Sequence, residues 1–127
     1  MRASRAYEAV GRHTSVMSSD SVGLILLVFD RLLQRLGEFE QAVLRDGLEQ
    51  RRLASSAAIE LIEKGLIGAL DFQRGGELAL RLKGQYQFWI SQLLLANLHG
   101  DADLARSLLS QVKTVQSGWQ ELKAMNP

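Results

Sequence analysis

The chain contains no cysteine. That absence removes disulfides, thiolate metal sites and thiol nucleophiles together, and it fits a reducing compartment. Proline occurs once and aromatic residues make up 6% of the chain, which favours an all-helical body over many short strands. An excess of one charge is also missing. The formal net charge is +1 at pH 7, far from the clustered basic excess of nucleic-acid binders. The adjacent pair Arg51-Arg52 reads as a solvated helix start. Long apolar runs are absent too: VGLILLVF, Val22 to Phe29, falls well short of the roughly 20 residues of a membrane span. The opening MRASRAYEAVGRH lacks the apolar core of a secretory signal. The expectation is a cytoplasmic protein with no nucleic-acid partner and no membrane insertion.

What is present is helical period. With 127 residues, 46% apolar and 23% charged, the chain fits one domain over residues 1–127. Val22, Ile25, Phe29, Leu32, Leu36, Phe39 and Val43 follow alternating three- and four-residue steps, the spacing of a seam packed on other helices. Asp20 or Ser19 can cap this helix, and Asp46-Gly47 is a plausible stop. A second helix carries Leu53, Ala57, Ile59, Ile62, Leu66 and Leu70 inward, with Glu60 and Lys64 paired outside. Asp71 to Gly76, ending in two glycines, reads as the clearest turn. Leu78, Leu82, Tyr86, Trp89, Leu93 and Ala96 give a third helix. His99-Gly100-Asp101 supplies a stop and a new cap, and Leu104, Leu108, Val112, Val115, Trp119 and Leu122 form the stripe of a fourth.

The expected boundaries are about 20–46, 49–70, 77–98 and 101–124, after a leader over residues 1–18. Four long helices joined by short turns predict an antiparallel up-down four-helix bundle with a short N-terminal cap helix. Gly23, Gly37, Gly65, Gly68, Gly84 and Gly118 fall inside these helices, each at a cost of about 1 kcal/mol relative to Ala. Two explanations stand: close helix–helix approach, helped by Ala54, Ala57, Ala58 and Ala69, or shallow grooves that admit an added peptide backbone.

Little here supports catalysis. His13 and His99 have no metal-spaced partners, and His99 at a helix end suits the C-terminal dipole. His13-Thr14-Ser15 adjacency in a leader says nothing about geometry. Gly75-Gly76 is too short for a phosphate cradle. The expectation is no enzyme, no metal and no cofactor.

Apolar surface remains in excess of one core face. Leu24, Leu27 and Val28 lie off the first seam, and the matching positions one turn on are Arg31, Gln34 and Arg35. This predicts a local patch at the start of the first helix. Ala3, Ala6, Tyr7 and Val10 form a short amphipathic face in the leader, before Gly11. So short a helix needs a docking surface. Either it docks reversibly on the patch, or it completes the core permanently.

Ala6-Tyr7, Val16-Met17-Ser18-Ser19, Leu24-Ile25 and Phe29-Asp30 resemble, in order and spacing, the opening of the flagellar export chaperone family FliS. Ala58 to Leu66, Leu70-Asp71, Gly76 to Ala79, Tyr86, Leu94 to Asn97 and Trp119 continue the likeness over nearly the whole chain. Asp20-Ser21 replaces the family's frequent Ser-Pro helix entry, and Phe29 stands where many members have Tyr. The resemblance implies a four-helix bundle that binds the disordered C-terminal segment of flagellin, prevents early polymerisation and delivers it to the flagellar export gate. It implies that Tyr7 gates the patch. The candidate flagellin-binding and gating residues are Tyr7, Val10, Leu24, Leu27, Val28, Ile62, Leu66 and Asn97. An empty protein could pair weakly with a second copy through the patch. A helical adaptor for another client is the main alternative. A histidine phosphotransfer domain fits poorly, since it wants an exposed mid-helix His followed closely by Lys and Gly.

Overall fold

A computed structural model describes residues 20–125. The leader, with Tyr7 and Val10, lies outside the described residues. Four helical rods follow in order: α1 (Asp20–Leu44), α2 (Leu48–Glu60), α3 (Phe72–His99) and α4 (Ala102–Met125). α2 continues through a π-helical turn, Leu61–Leu66, and a 3-10 turn, Ile67–Ala69.

α1 packs against α2 and α4, and α3 packs against the same two helices, so α1 and α3 are diagonal in a four-helix bundle. Polar ties fix how neighbours run. Gln116 Nε2 donates to Asp30 Oδ1 at 2.8 Å, and Arg106 Nε donates to Glu40 Oε2 at 2.9 Å. Moving forward along α1 therefore means moving back along α4, which makes the pair antiparallel. Gln111 Nε2 to Gln92 Oε1, 3.1 Å, ties α4 to α3 in the same sense.

The core is filled where the three-four period predicts. Phe29, Leu32, Leu36 and Phe39 from α1 meet Tyr86, Trp89 and Leu93 from α3, with Leu108, Val112 and Trp119 from α4. Phe29 and Trp89 meet edge to face across the bundle, ring centroids 6.3 Å apart at 81°, a favoured aromatic geometry.

Chain reversal follows from local chemistry. α1 ends in paired backbone bonds, Gly47 N–H to Ala42 O at 2.9 Å and Asp46 N–H to Val43 O at 3.2 Å, the Schellman pattern. The left-handed residue is Asp46, φ 57°, rather than Gly47. At the end of α3 Gly100 takes that role, φ 61°, and Asp101 Oδ1 accepts the Leu104 N–H at 3.0 Å to open α4.

Two expectations are corrected. The expected break at Gly76 is present and the long rod of α3 runs on from Glu77, but one further helical turn precedes it from Phe72, because Asp71 Oδ1 accepts from the N–H groups of both Gln73 and Arg74. Gly76, at φ 51° and ψ −127°, then kinks the helix. In α2, Leu53 is 54% exposed while Ala54, Ser55 and Ala58 face inward. Steps of four from Ala54 through Ala58 and Ile62 to Leu66 would drift about 40° each in a regular helix. The wider π turn, in which the Ile67 N–H reaches back to Ile62 O, winds more slowly and keeps Ile62 and Leu66 on the core side.

Candidate functional site

The patch at the start of α1 divides. Leu24 and Leu27 are 61% and 58% exposed, large apolar side chains facing outward. Val28 is half-buried and packs on the core. A Cβ at Gly65 would lie 2.7 Å from Val28 Cγ1 and 3.2 Å from its Cγ2, so Gly65 lets α1 and the π turn approach more closely than any side chain would allow. Val28 is thus chiefly a helix-packing residue.

Three further candidates are placed away from the exposed patch. Ile62 and Leu66 are 0% and 2% exposed, held in the core by the π turn, and present no surface to a partner. Asn97 Oδ1 accepts from Arg51 Nε at 3.1 Å in a half-buried bond between α3 and α2. Arg51 is accordingly not a simply solvated helix start. A Cβ on Gly100 would sit 2.9 Å from Arg51 Nη1, which puts the guanidinium beside the electronegative end of α3.

Between α1 and α2 runs a valley in two continuous stretches that share Arg35. The first, about 430 Å³, lies among Arg31, Arg35, Ala57, Leu61, Lys64 and Gly65. The second, about 1030 Å³, reaches Gly37, Ala42, Gly47, Leu53 and Ala54 near the α1–α2 turn. Small residues, Gly37, Ala42, Gly47, Ala54, Ala57 and Gly65, share the valley's lining with charged ones. Gly37 has nothing within 4 Å of a hypothetical Cβ. Both explanations of the helical glycines therefore apply, close approach at Gly65 and an open groove at Gly37. Leu44, Leu48 and Leu53, each more than half exposed, stand at the far end.

The rim is charged and open. Lys64 Nζ pairs with Glu60 Oε2 at 2.9 Å; that hydrogen bond and the attraction behind it lower the Glu60 pKa and raise that of Lys64. Arg52 does the same to Glu49 across 2.7 Å. These are solvated ion pairs, not a poised acid–base set.

A model of the flagellar protein FliS matches residues 3–126. The chain belongs to the FliS family. Flagellar secretion chaperone FliSB of Pseudomonas aeruginosa is 33% identical over 119 residues, 94% of each chain. FliS of Salmonella typhimurium is 30% identical over 118 residues, 93% of this chain and 87% of the relative. FliS of Escherichia coli is 27% identical over 120 residues, 94% and 88% of the two chains. FliS is a chaperone family and not an enzymatic one, in line with both the resemblance and the sparse chemistry of the sequence. No helix among the described residues is long and apolar enough to cross a membrane.

The helical glycines and alanines signalled a groove, though not its course between α1 and α2. Unanticipated by the residue pattern is an outward apolar row on α3, where Leu80, Phe88, Leu94, Leu95 and Leu98 are each about half exposed or more.

Proposed function

We propose that this protein is a cytoplasmic flagellar export chaperone that holds the disordered C-terminal segment of flagellin along the α1–α2 valley, prevents its premature polymerisation and delivers it to the flagellar export gate. The observation that supports this reading is the valley itself, lined by small and charged residues with exposed Leu53 in its wall, and exposed Leu27 and Leu24 one and two turns along α1 from Arg31. Leu24 and Leu44 are separated by about 30 Å of helix, a distance that about nine residues of extended peptide span. A disordered tail that orders on binding forfeits about 2–5 kcal/mol, so it needs apolar contacts over such a length rather than one pocket. Leu27 at the head of the valley and Leu53 at its foot supply anchors, while the small lining residues let a backbone lie close.

The leader enters this mechanism as a competitor. Its Tyr7 and Val10 carry the apolar face expected to cover Leu24 and Leu27. A site occupied by the protein's own leader binds the client with an affinity reduced by the fraction of time the site is open. That gives reversible holding and release with no nucleotide hydrolysis.

The test is flagellin polymerisation followed by light scattering, with the chaperone added at equimolar amount, together with capture of the flagellin–chaperone complex on the immobilised cytoplasmic part of the export gate. Suppressed polymerisation and capture that depends on flagellin support the proposal. Unaltered polymerisation by a folded protein points instead to an adaptor for another client.

A further inference from the structure

The first stretch of the valley is lined unevenly in charge. Arg31 and Arg35 from α1 and Lys64 from the π turn face it against a single carboxylate, Glu60. The rest of that lining, Ala57, Leu61 and Gly65, is uncharged. Arg31 and Arg35 stand four residues apart on one face of α1, a spacing at which like charges repel and weaken a helix. Arg35 is relieved by Glu38 at 2.9 Å, and Lys64 by Glu60 at 2.9 Å. Arg31 has no ion pair among the described residues. The second stretch differs, since Arg35 and Arg45 are matched there by Glu38 and Glu40.

A chain laid along the valley crosses this hollow and takes water from the cations that face it. An apolar residue over Arg31 would leave the guanidinium partly desolvated with no acceptor, which is unfavourable. A carboxylate removes that penalty and offers two acceptor oxygens to a fork of N–H donors. Lys64 is open to the same partner. Its pair with Glu60 is solvated, the side chains being 76% and 63% exposed, and such pairs contribute little. An incoming carboxylate can therefore take the place of Glu60. The hollow discriminates twice, by attraction for an acid and by a penalty on a neutral residue. The valley also continues past the hollow, toward Leu27 on one side and Leu53 on the other, so the acid comes from within the bound chain rather than from its end.

We infer that the hollow between Arg31, Arg35 and Lys64 is a carboxylate subsite, filled by one aspartate or glutamate side chain of the flagellin tail and selected by Arg31. The inference rests on the valley holding that tail. The exposed leucines supply affinity, whereas the acidic residue fixes where along the valley the tail is held.

The experiment is isothermal titration of the full chain with a flagellin C-terminal peptide, and with a series in which each Asp or Glu is replaced singly by Asn or Gln. One replacement should weaken binding at least tenfold. Arg31→Glu should do the same to the native peptide, while Arg81→Glu, an equal change of charge on exposed α3 surface, alters affinity less than twofold. Should Arg31→Glu lose the native helical spectrum, Arg31→Gln is measured in its place, with at least a threefold loss expected. In either variant the sensitive peptide replacement should cost less than it does in the native chain, the coupling of two groups in contact. Amidation of the peptide's C-terminus should leave affinity unchanged. Four results overturn the inference while the tail still binds: indifference to every acidic replacement, Arg31 variants that bind like the native chain, losses that combine without coupling, or a dependence on Arg31 that disappears on amidation, which would make the terminal carboxylate the ligand. A peptide that does not bind the native chain at all overturns the flagellin reading and this inference together.

Discussion

Replacing Gly65 by alanine isolates the contact that joins the π turn to α1. A Cβ there would lie 2.7, 3.2 and 3.6 Å from three atoms of one side chain, Val28. Val28 is branched at Cβ and holds one strongly preferred χ1 rotamer in a helix, so turning a methyl away is itself unfavourable. The helices must therefore separate locally, an overpacking that costs about 1–3 kcal/mol. Alanine returns about 0.5–1 kcal/mol through its better helix propensity. The expected net effect of Gly65→Ala is a loss of about 1–2 kcal/mol. Gly37→Ala, which meets nothing within 4 Å, should gain about 0.5–1 kcal/mol by the same propensity. Urea titration followed by circular dichroism measures both. Adding Val28→Ala to Gly65→Ala should recover about 1 kcal/mol or more relative to additivity, the coupling expected of residues in contact. If Gly65→Ala shifts the midpoint upward as Gly37→Ala does, or if the double variant is additive, the close approach of α1 and the π turn is refuted.

Ile62→Ala should cost about 2–5 kcal/mol of stability as a core truncation, whereas Leu27→Ala should stay within about 0.5 kcal/mol and instead weaken flagellin-tail binding; paired denaturation and calorimetry separate the two. Gly76→Ala forces a side chain into φ 51°, ψ −127° and should cost about 1–3 kcal/mol, read as a lower melting temperature. The lowered pKa of Glu60 and Glu49 means that their ion pairs support the fold above the ordinary carboxylate range and lose that support as pH falls through the still lower folded values. Glu60→Gln should therefore flatten the acid limb of a pH–stability curve slightly, an effect that fades in high salt.

The seam of α1 was legible because Phe29, Leu32, Leu36 and Phe39 are large, apolar and spaced at one period, and all four are buried. The phase of α2 was not. Leucine at 53 looks more like core than alanine at 54 or serine at 55, and nothing in the residue types announces a π turn that shifts the winding around Gly65. The extra turn at the start of α3 was hidden for a similar reason. Gly75-Gly76 signals a break, but the cap at Asp71 starts the helix before it. In the site, outward position alone picked out Leu24 and Leu27 correctly as exposed. Helical position could not separate Ile62, Leu66 and Asn97 from groove residues, since that depends on the π turn and on the Arg51 bond. The α3 row escaped because its inner face already satisfied the expected stripe; the missing charge from Gly84 to Leu98 was the readable sign.

The central claim is that exposed leucines at the head of the α1–α2 valley hold a flagellin tail. It is tested most directly by isothermal titration of the full chain with a peptide of the flagellin C-terminal segment, alongside the double variant Leu24→Lys, Leu27→Lys. The account predicts binding by the native chain with a negative heat-capacity change, the mark of buried apolar surface, and at least a tenfold weaker affinity in a variant that melts like the native chain. A tail that does not bind the native chain, or that binds the variant equally well, would contradict it.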